Sequence, residues 1–355
     1  MLVRQEKERR KVQISGKSSC MVALPKKWVN EMRLQQGSEV MISKLNATSL
    51  LVNAQPDLTQ DWEREAVIEV NTDDTPEKIF RKIVSLYVLG FNRITIEGSK
   101  GFLSPSKKLA IKVMTRRHLI GTEGVVESRD RMTVHVLLGY SELSVESALK
   151  KMLLIIDSLG SDSAHALENN DAVPTEAILD RQDEVGRFSL YVIRQLNLSL
   201  NQGVLPELQF QNRDTLGYIL ISRTLERIAY HASNLSKATG DLKKPLPEAL
   251  VRNFVALEER ACGLVDQAVL SLFKRDHEGA DGVVERAKAF VGRETEVTKL
   301  LDESESETYY ALHVLLDSQR RIAEYARDIA EIVLDMTVER TLQRHESEAR
   351  QVTYA

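Results

Sequence analysis

The 355-residue chain holds only two cysteines, Cys20 and Cys262. They fall in stretches of different patterning and belong to no CxxC or Cys/His spacing. That excludes a disulfide framework and a zinc knuckle, and leaves both as small apolar side chains. Long apolar runs are missing as well. None exceeds five residues, as in Met152 to Ile156, which is far too short to cross a bilayer, and the N-terminus carries charge where a secretion signal needs an apolar stretch. The expectation is a soluble, cytoplasmic protein with no membrane insertion. There is no P-loop, GxSxG, HExxH or glycine-rich phosphate cradle either, so no enzyme class is supported.

What the chain does have is length for two or three domains and, at 43% hydrophobic residues, material for a sizeable core. Its net charge of −4 is unevenly placed. Residues 1–44 contain ten Lys and Arg against four Glu, which leaves +6 there and −10 in the remainder. Arg9, Arg10, Lys11, Lys17, Lys26 and Lys27 make up most of that excess. A basic head on an acidic body is the electrostatic footprint of a nucleic-acid-binding protein; the plainer alternative is a solvated basic tail.

Within the head, alternation at Val12 and Ile14, then at Met21 and Ala23, predicts two short strands broken at Ser15 to Ser18, with Gly16 free to turn. Pro25 suits the first turn of a short helix, Gly37 closes it, and "EVMISK" and "TSLLVN" resume strand patterning around Asn46. Four small strands and one helical turn cannot bury a core alone. Two copies are expected to complete one another as a homodimer over residues 1–56.

Residues 62–140 alternate strand and helix in the order βαβαββ, a small α/β domain. Thr75 and Ser104 read as N-caps ahead of Pro76 and Pro105, and Gly90 and Gly121 follow the last turns. Lys108, Lys112 and Arg116 line one face of its second helix, either against a phosphate backbone or simply in solvent. From Ser141 to about Arg344 strand signals vanish. Breaks near Asn169 to Pro174, Gly203 to Pro206, Gly240 to Pro247, Asp276 to Asp281 and Ser304 to Ser306 leave six helices of roughly 20–35 residues, packed antiparallel as a bundle. The last shows the clearest apolar stripe: Leu312, Leu315, Leu316, Gln319, Ile322, Ala323, Ala326, Ile329, Ala330 and Val333.

An internal repeat is visible, since "RIAYHASNL" from Arg227 matches "RIAEYARDI" from Arg321 after a shift of 94 residues. A repeat of that spacing is a duplicated domain, residues 141–240 and 245–344. These two segments resemble the signature helices of the PhoU family, phosphate-signalling regulators built as tandem three-helix bundles. The opening stretch resembles the SpoVT/AbrB swapped-hairpin DNA-binding domain that heads archaeal PhoU-like proteins, through Gly16-x-Ser18 and, after five intervening residues, Leu24-Pro25-Lys26-x-Trp28. The resemblance implies a multidomain chain: a small all-β swapped-hairpin domain, a small α/β domain, and an all-α PhoU-like pair of three-helix bundles.

The resemblance also implies a divalent or ferric metal ion, held in that family by E-x-x-x-D pairs whose spacing puts both carboxylates on one helical face. Here Glu226 keeps the first position but Tyr230 replaces the aspartate, while Arg320 and Glu324 stand in the second repeat. An arginine repels a cation, and Arg320 with Glu324 is expected to be an ion pair. Asp180 and Glu184 offer another carboxylate pair, and Asn234 and Asp328 occupy corresponding places in the repeats. The metal candidates are therefore Asp180, Glu184, Glu226, Glu324 and Asp328, in a damaged site. The head departs too: the family's better-known members carry an arginine pair in the short helix, where this chain has Val29 and Asn30. The expected function is a DNA-binding transcription regulator tied to phosphate uptake, with Arg9 and Arg10 as the side chains able to read bases. The alternative is an adaptor that never meets DNA, dimerises through the hairpins, and docks on a phosphate transporter component or a signalling kinase.

Overall fold

The computed structural model describes residues 8–15, 19–44, 48–54, 64–99, 101–123, 127–137, 143–169, 171, 173–202, 212–242, 244–301 and 306–353. Gly16 and Lys17 lie outside them. The chain separates into two compact units, Met1–Trp62 and Glu63–Ala355.

In the first unit β1 (Gln13–Ser15) pairs antiparallel with β2 (Ser19–Met21), placing Ile14 opposite Cys20. A six-residue helix, α1 (Lys26–Glu31), follows directly after Pro25, which is the cap residue. The helix ends where Arg33 turns left-handed at φ 54° and Leu34 N–H bonds back to the Val29 carbonyl; Gly37, at φ 87°, makes the next turn. Then β3 (Met41–Lys44) and β4 (Leu50–Asn53) form the second hairpin, with Ile42 opposite Val52. Among the described residues of this unit none is buried. Ile14 is 80% exposed and Leu50 68%, so strand residues that should face a core face outward.

The second unit opens with β5 (Glu65–Val70), α2 (Pro76–Val88), β6 (Arg93–Gly98), α3 (Pro105–His118), β7 (Thr122–Glu123) and β8 (Arg131–Val136). The expected βαβαββ order is present, in a sheet ordered β5-β6-β8-β7. The β5 and β6 strands run parallel because α2 crosses between them; the other pairs are antiparallel. Both helices start as the sequence predicts, with Thr75 and Ser104 hydroxyls accepting the N–H groups of Lys78 and Lys107. Gly90, at φ 91°, ends α2, and any side chain there would collide with Leu198 of the bundle. Ile68, Ile79, Ile83, Ile94, Ile96, Ile111 and Met132 fill the core beneath the sheet.

Six helices complete the unit: α4 (Val145–Asn169), α5 (Thr175–Gln202), α6 (Asn212–Gly240), α7 (Glu248–Lys274), α8 (His277–Leu301) and α9 (Ser306–Thr353). The α7–α8 break is tighter than expected. Arg275 takes the left-handed turn itself, and the Asp276 carboxylate caps Gly279 N–H. The last helix runs 48 residues, past Arg344, since no glycine or proline interrupts residues 306–353.

Helices α4, α5 and α6 pack as one triplet and α7, α8 and α9 as another; α6 lies along α9 and α4 against α7 to join them. The repeat read in the sequence is the α6–α9 seam. Ile228, Ala229, Ala232 and Leu235 are buried, and so are their counterparts Ile322, Ala323, Ala326 and Ile329. All ten residues of the predicted α9 stripe are buried, the glutamine included, because Gln319 donates to the Phe254 carbonyl at 2.8 Å. The α/β layer docks on α5. Arg194, fully buried, donates to the carbonyls of Tyr87 (2.7 Å) and Phe91 (2.9 Å), and Asn197 donates to that of Val88 (2.8 Å).

Candidate functional site

The cations of the head are displayed rather than packed. Arg9, Arg10 and Lys11 sit on the extended segment leading into β1, and Lys26 and Lys27 open α1; all five are exposed. Arg10 pairs with its neighbour Glu8. Lys17, the sixth candidate, is outside the described residues. Val29 and Asn30 occupy the body of α1.

The metal candidates are scattered among guanidinium groups. Asp180 pairs with Arg117 of α3 at 3.0 Å, Glu226 with Arg223 at 2.8 Å, Glu324 with Arg321 at 3.0 Å and Asp328 with Arg327 at 3.8 Å, while Glu184 is exposed. Among the described residues no three His, Cys, Asp or Glu side chains converge to hold a metal ion. The ion pair expected of Arg320 with Glu324 is distributed differently: Arg320 pairs with Asp317 and Glu324 with Arg321, at a spacing one residue shorter in each case. On α3, Lys112 meets Glu127 at 3.5 Å and Lys108 bonds the Ser128 carbonyl, so these lysines are engaged within their own domain.

Sequence periodicity gave no sign of the groove that α3, α5, α6 and α9 enclose, about 850 Å³ in volume. His118 enters it from the end of α3, Asp183 and Gly186 from α5, Arg223, Glu226, Arg227, Tyr230 and His231 from α6, and Tyr325 from α9. Its wall is ordered by ion pairs: Arg117 holds Asp183 at 2.6 Å as well as Asp180, and Arg223 holds Glu226. An aromatic cluster forms the far side. The His231 ring lies 5.3 Å from Tyr230 and 5.8 Å from Tyr325, its equivalent in the second repeat. Burial pushes both His231 and His118 below the ordinary histidine value.

A second feature missed by sequence is the seam between α4 and α7, where Asp157, Glu258 and Asp266 gather around Cys262. Burial pushes Glu258 up to about 8 and Asp157 up to about 6, the latter helped by Asp266. Cys262 lies so close to α4 that a side chain at Gly160 would meet its sulfur at 2.9 Å.

Two bundled helical triplets, with a duplicated third helix at their junction, place the larger unit among tandem three-helix-bundle folds. Residues 149–239 match the family model of the PhoU domain, which spans the first triplet. Two solved structures are similar over a longer stretch. PhoU from Pseudomonas aeruginosa is 20% identical with a TM-score of 0.48, and the phosphate transport system regulatory protein PhoU from Streptococcus pneumoniae is 14% identical with a TM-score of 0.46. Each alignment covers 54% of this chain and 93% of the other. No curated protein matches the chain. Among the described residues no helix is long and apolar enough to cross a membrane.

Proposed function

We propose that the protein is a DNA-binding transcription regulator in which a dimeric SpoVT/AbrB-like head engages DNA and the PhoU-like bundle senses or relays phosphate status. The observation that carries the DNA half is the head itself: +6 over residues 1–44, its described candidate cations all exposed, and no described residue buried. A module with outward-facing Ile14, Ile42 and Leu50 needs a second copy to cover them, and pairing would double the positive face. Lys26, Lys27 and Lys11 suit phosphate contacts; Arg9 and Arg10 suit bases. The link to phosphate rests on the PhoU domain match.

One observation favours a second reading, the adaptor that dimerises but never binds DNA: Val29 and Asn30 stand where a pair of arginines would strengthen base contacts. Mapping DNA occupancy of the tagged protein in cells grown with and without phosphate separates the two. Regulator behaviour requires discrete sites near phosphate-transport genes that change with phosphate supply. Occupancy indistinguishable from an untagged control would transfer the protein to the adaptor class.

A further inference from the structure

We propose that the groove between α5, α6 and α9 binds a small phosphorylated ligand with a planar ring, of the nucleoside diphosphate class. This deepens the sensor role given to the bundle, and depends on that reading for its use but not for the binding. At about 850 Å³ the groove is far larger than inorganic phosphate needs and falls within the range of sites for small organic ligands.

Charge argues for an anion. The acids on and around the groove are already held: Asp183 by Arg117, Glu226 by Arg223, Glu324 by Arg321 and Asp317 by Arg320. Arg227 lines the groove and makes no ion pair among the described residues; its guanidinium stands 6.0 Å from the Tyr325 ring. Arg187, one turn from Asp183 on α5, makes none either, and its buried Nε has no hydrogen-bond partner. It is close enough to His118 to help depress that ring's protonation. The Arg227 guanidinium repels a metal ion and offers the planar, forked donors that phosphate oxygens accept, with the charge of Arg187 behind the wall.

Shape argues for a ring. Tyr230, His231 and Tyr325 form one aromatic cluster, and Tyr230 is 51% exposed, a stacking platform open to the groove. The Nδ1 of His231 is buried without a partner, a polar point beside that platform available to the edge of a base.

Calorimetric titration of the full chain with ADP, pyrophosphate and adenosine, each alone and without DNA, tests this. The expected result is one ADP per chain, bound more tightly than pyrophosphate or adenosine. Arg227→Gln should weaken ADP and pyrophosphate alike by roughly 10- to 100-fold, the loss of a charge-assisted hydrogen bond. Tyr230→Ala should weaken ADP while leaving pyrophosphate within about twofold, since stacking involves the ring only. Arg252→Ala, in the exposed pair with Glu248 on α7, should change neither. The proposal is overturned if no probe binds at millimolar concentration, if ADP binds no more tightly than pyrophosphate, or if Arg227→Gln leaves ADP affinity intact. Loss of DNA binding by the head would leave these titrations unchanged, so the two readings fail separately.

Discussion

Replacing Arg194 by methionine should loosen the α/β layer from the bundle. The side chain is fully buried and caps the C-terminal end of α2, donating at 2.7 and 2.9 Å to the Tyr87 and Phe91 carbonyls with its guanidinium 5.0 Å from the Tyr87 ring. A helix C-terminus presents carbonyls without intrahelical partners and favours a cation. Hydrogen bonds to a charged group contribute about 1.5–3 kcal/mol each, so two give about 3–6 kcal/mol. Two corrections lower that figure. The Tyr87 carbonyl keeps the Gly90 N–H at 3.0 Å, and methionine removes the cost of holding a guanidinium away from water. A net loss of roughly 2–4 kcal/mol is expected. Hydrogen exchange of the β5, β6 and β8 amides is the direct assay, because these strands should open before the bundle. Arg194→Lys should recover no more than about half, since one ammonium replaces a two-pronged donor. Exchange of those strands slowed or unchanged in Arg194→Met, within about 1 kcal/mol, would refute the reasoning.

Three further outcomes can be checked. Arg275→Gly relieves a left-handed residue, worth about 1 kcal/mol, but strips the 2.7 Å partner from the nearly buried Asp214, about 3–5 kcal/mol, so thermal unfolding should show net destabilisation of roughly 2–4 kcal/mol; a stabilised variant would contradict it. Glu258 stays protonated in the folded chain up to about pH 8, whereas the unfolded chain releases that proton near 4.5. Stability from this group is therefore full below about 4.5 and lost as pH rises to about 8, on the order of 5 kcal/mol in all. In urea titrations Glu258→Gln should flatten that decline, and an equally steep decline would assign it to Asp157 and Asp266 alone. Deleting residues 1–55 should convert a dimer to a monomer in light scattering; a truncated chain that remains dimeric would put the interface in the second unit.

Much of the architecture was legible because it is local. Thr75 with Pro76, and Ser104 with Pro105, announce their helices by cap chemistry within four residues. The α9 stripe was visible because burial there follows a 3.6-residue period, and the repeat because Ile228 and Ile322 pack the same seam. The groove was not legible. His118, Asp183, Arg227 and Tyr325 are far apart in the chain, and each taken alone looks like part of a solvated helix face. Arg194 and Glu258 were hidden for a related reason. A charged residue on a helix reads as surface until its depth in the fold is known, and both are buried by neighbours that the pattern does not specify. The metal candidates were read from one helix at a time, whereas their partners come largely from spacing one residue shorter, as in Arg223 with Glu226 and Arg321 with Glu324, or from another domain, as in Arg117 with Asp180.

The salt dependence of DNA binding tests the central claim most directly. If Arg9, Arg10, Lys11, Lys17, Lys26 and Lys27 of two copies lie along one face, they neutralise on the order of six to ten phosphates, and affinity for duplex should fall by roughly 10³ to 10⁵ between 50 and 200 mM salt. Lys26→Ala with Lys27→Ala should lower affinity for all sequences about equally, whereas Arg9→Ala or Arg10→Ala should also erode discrimination by roughly 1–3 kcal/mol. A full chain that binds neither its own promoter nor random duplex at micromolar concentration and moderate salt, or that binds without this slope, would contradict the account.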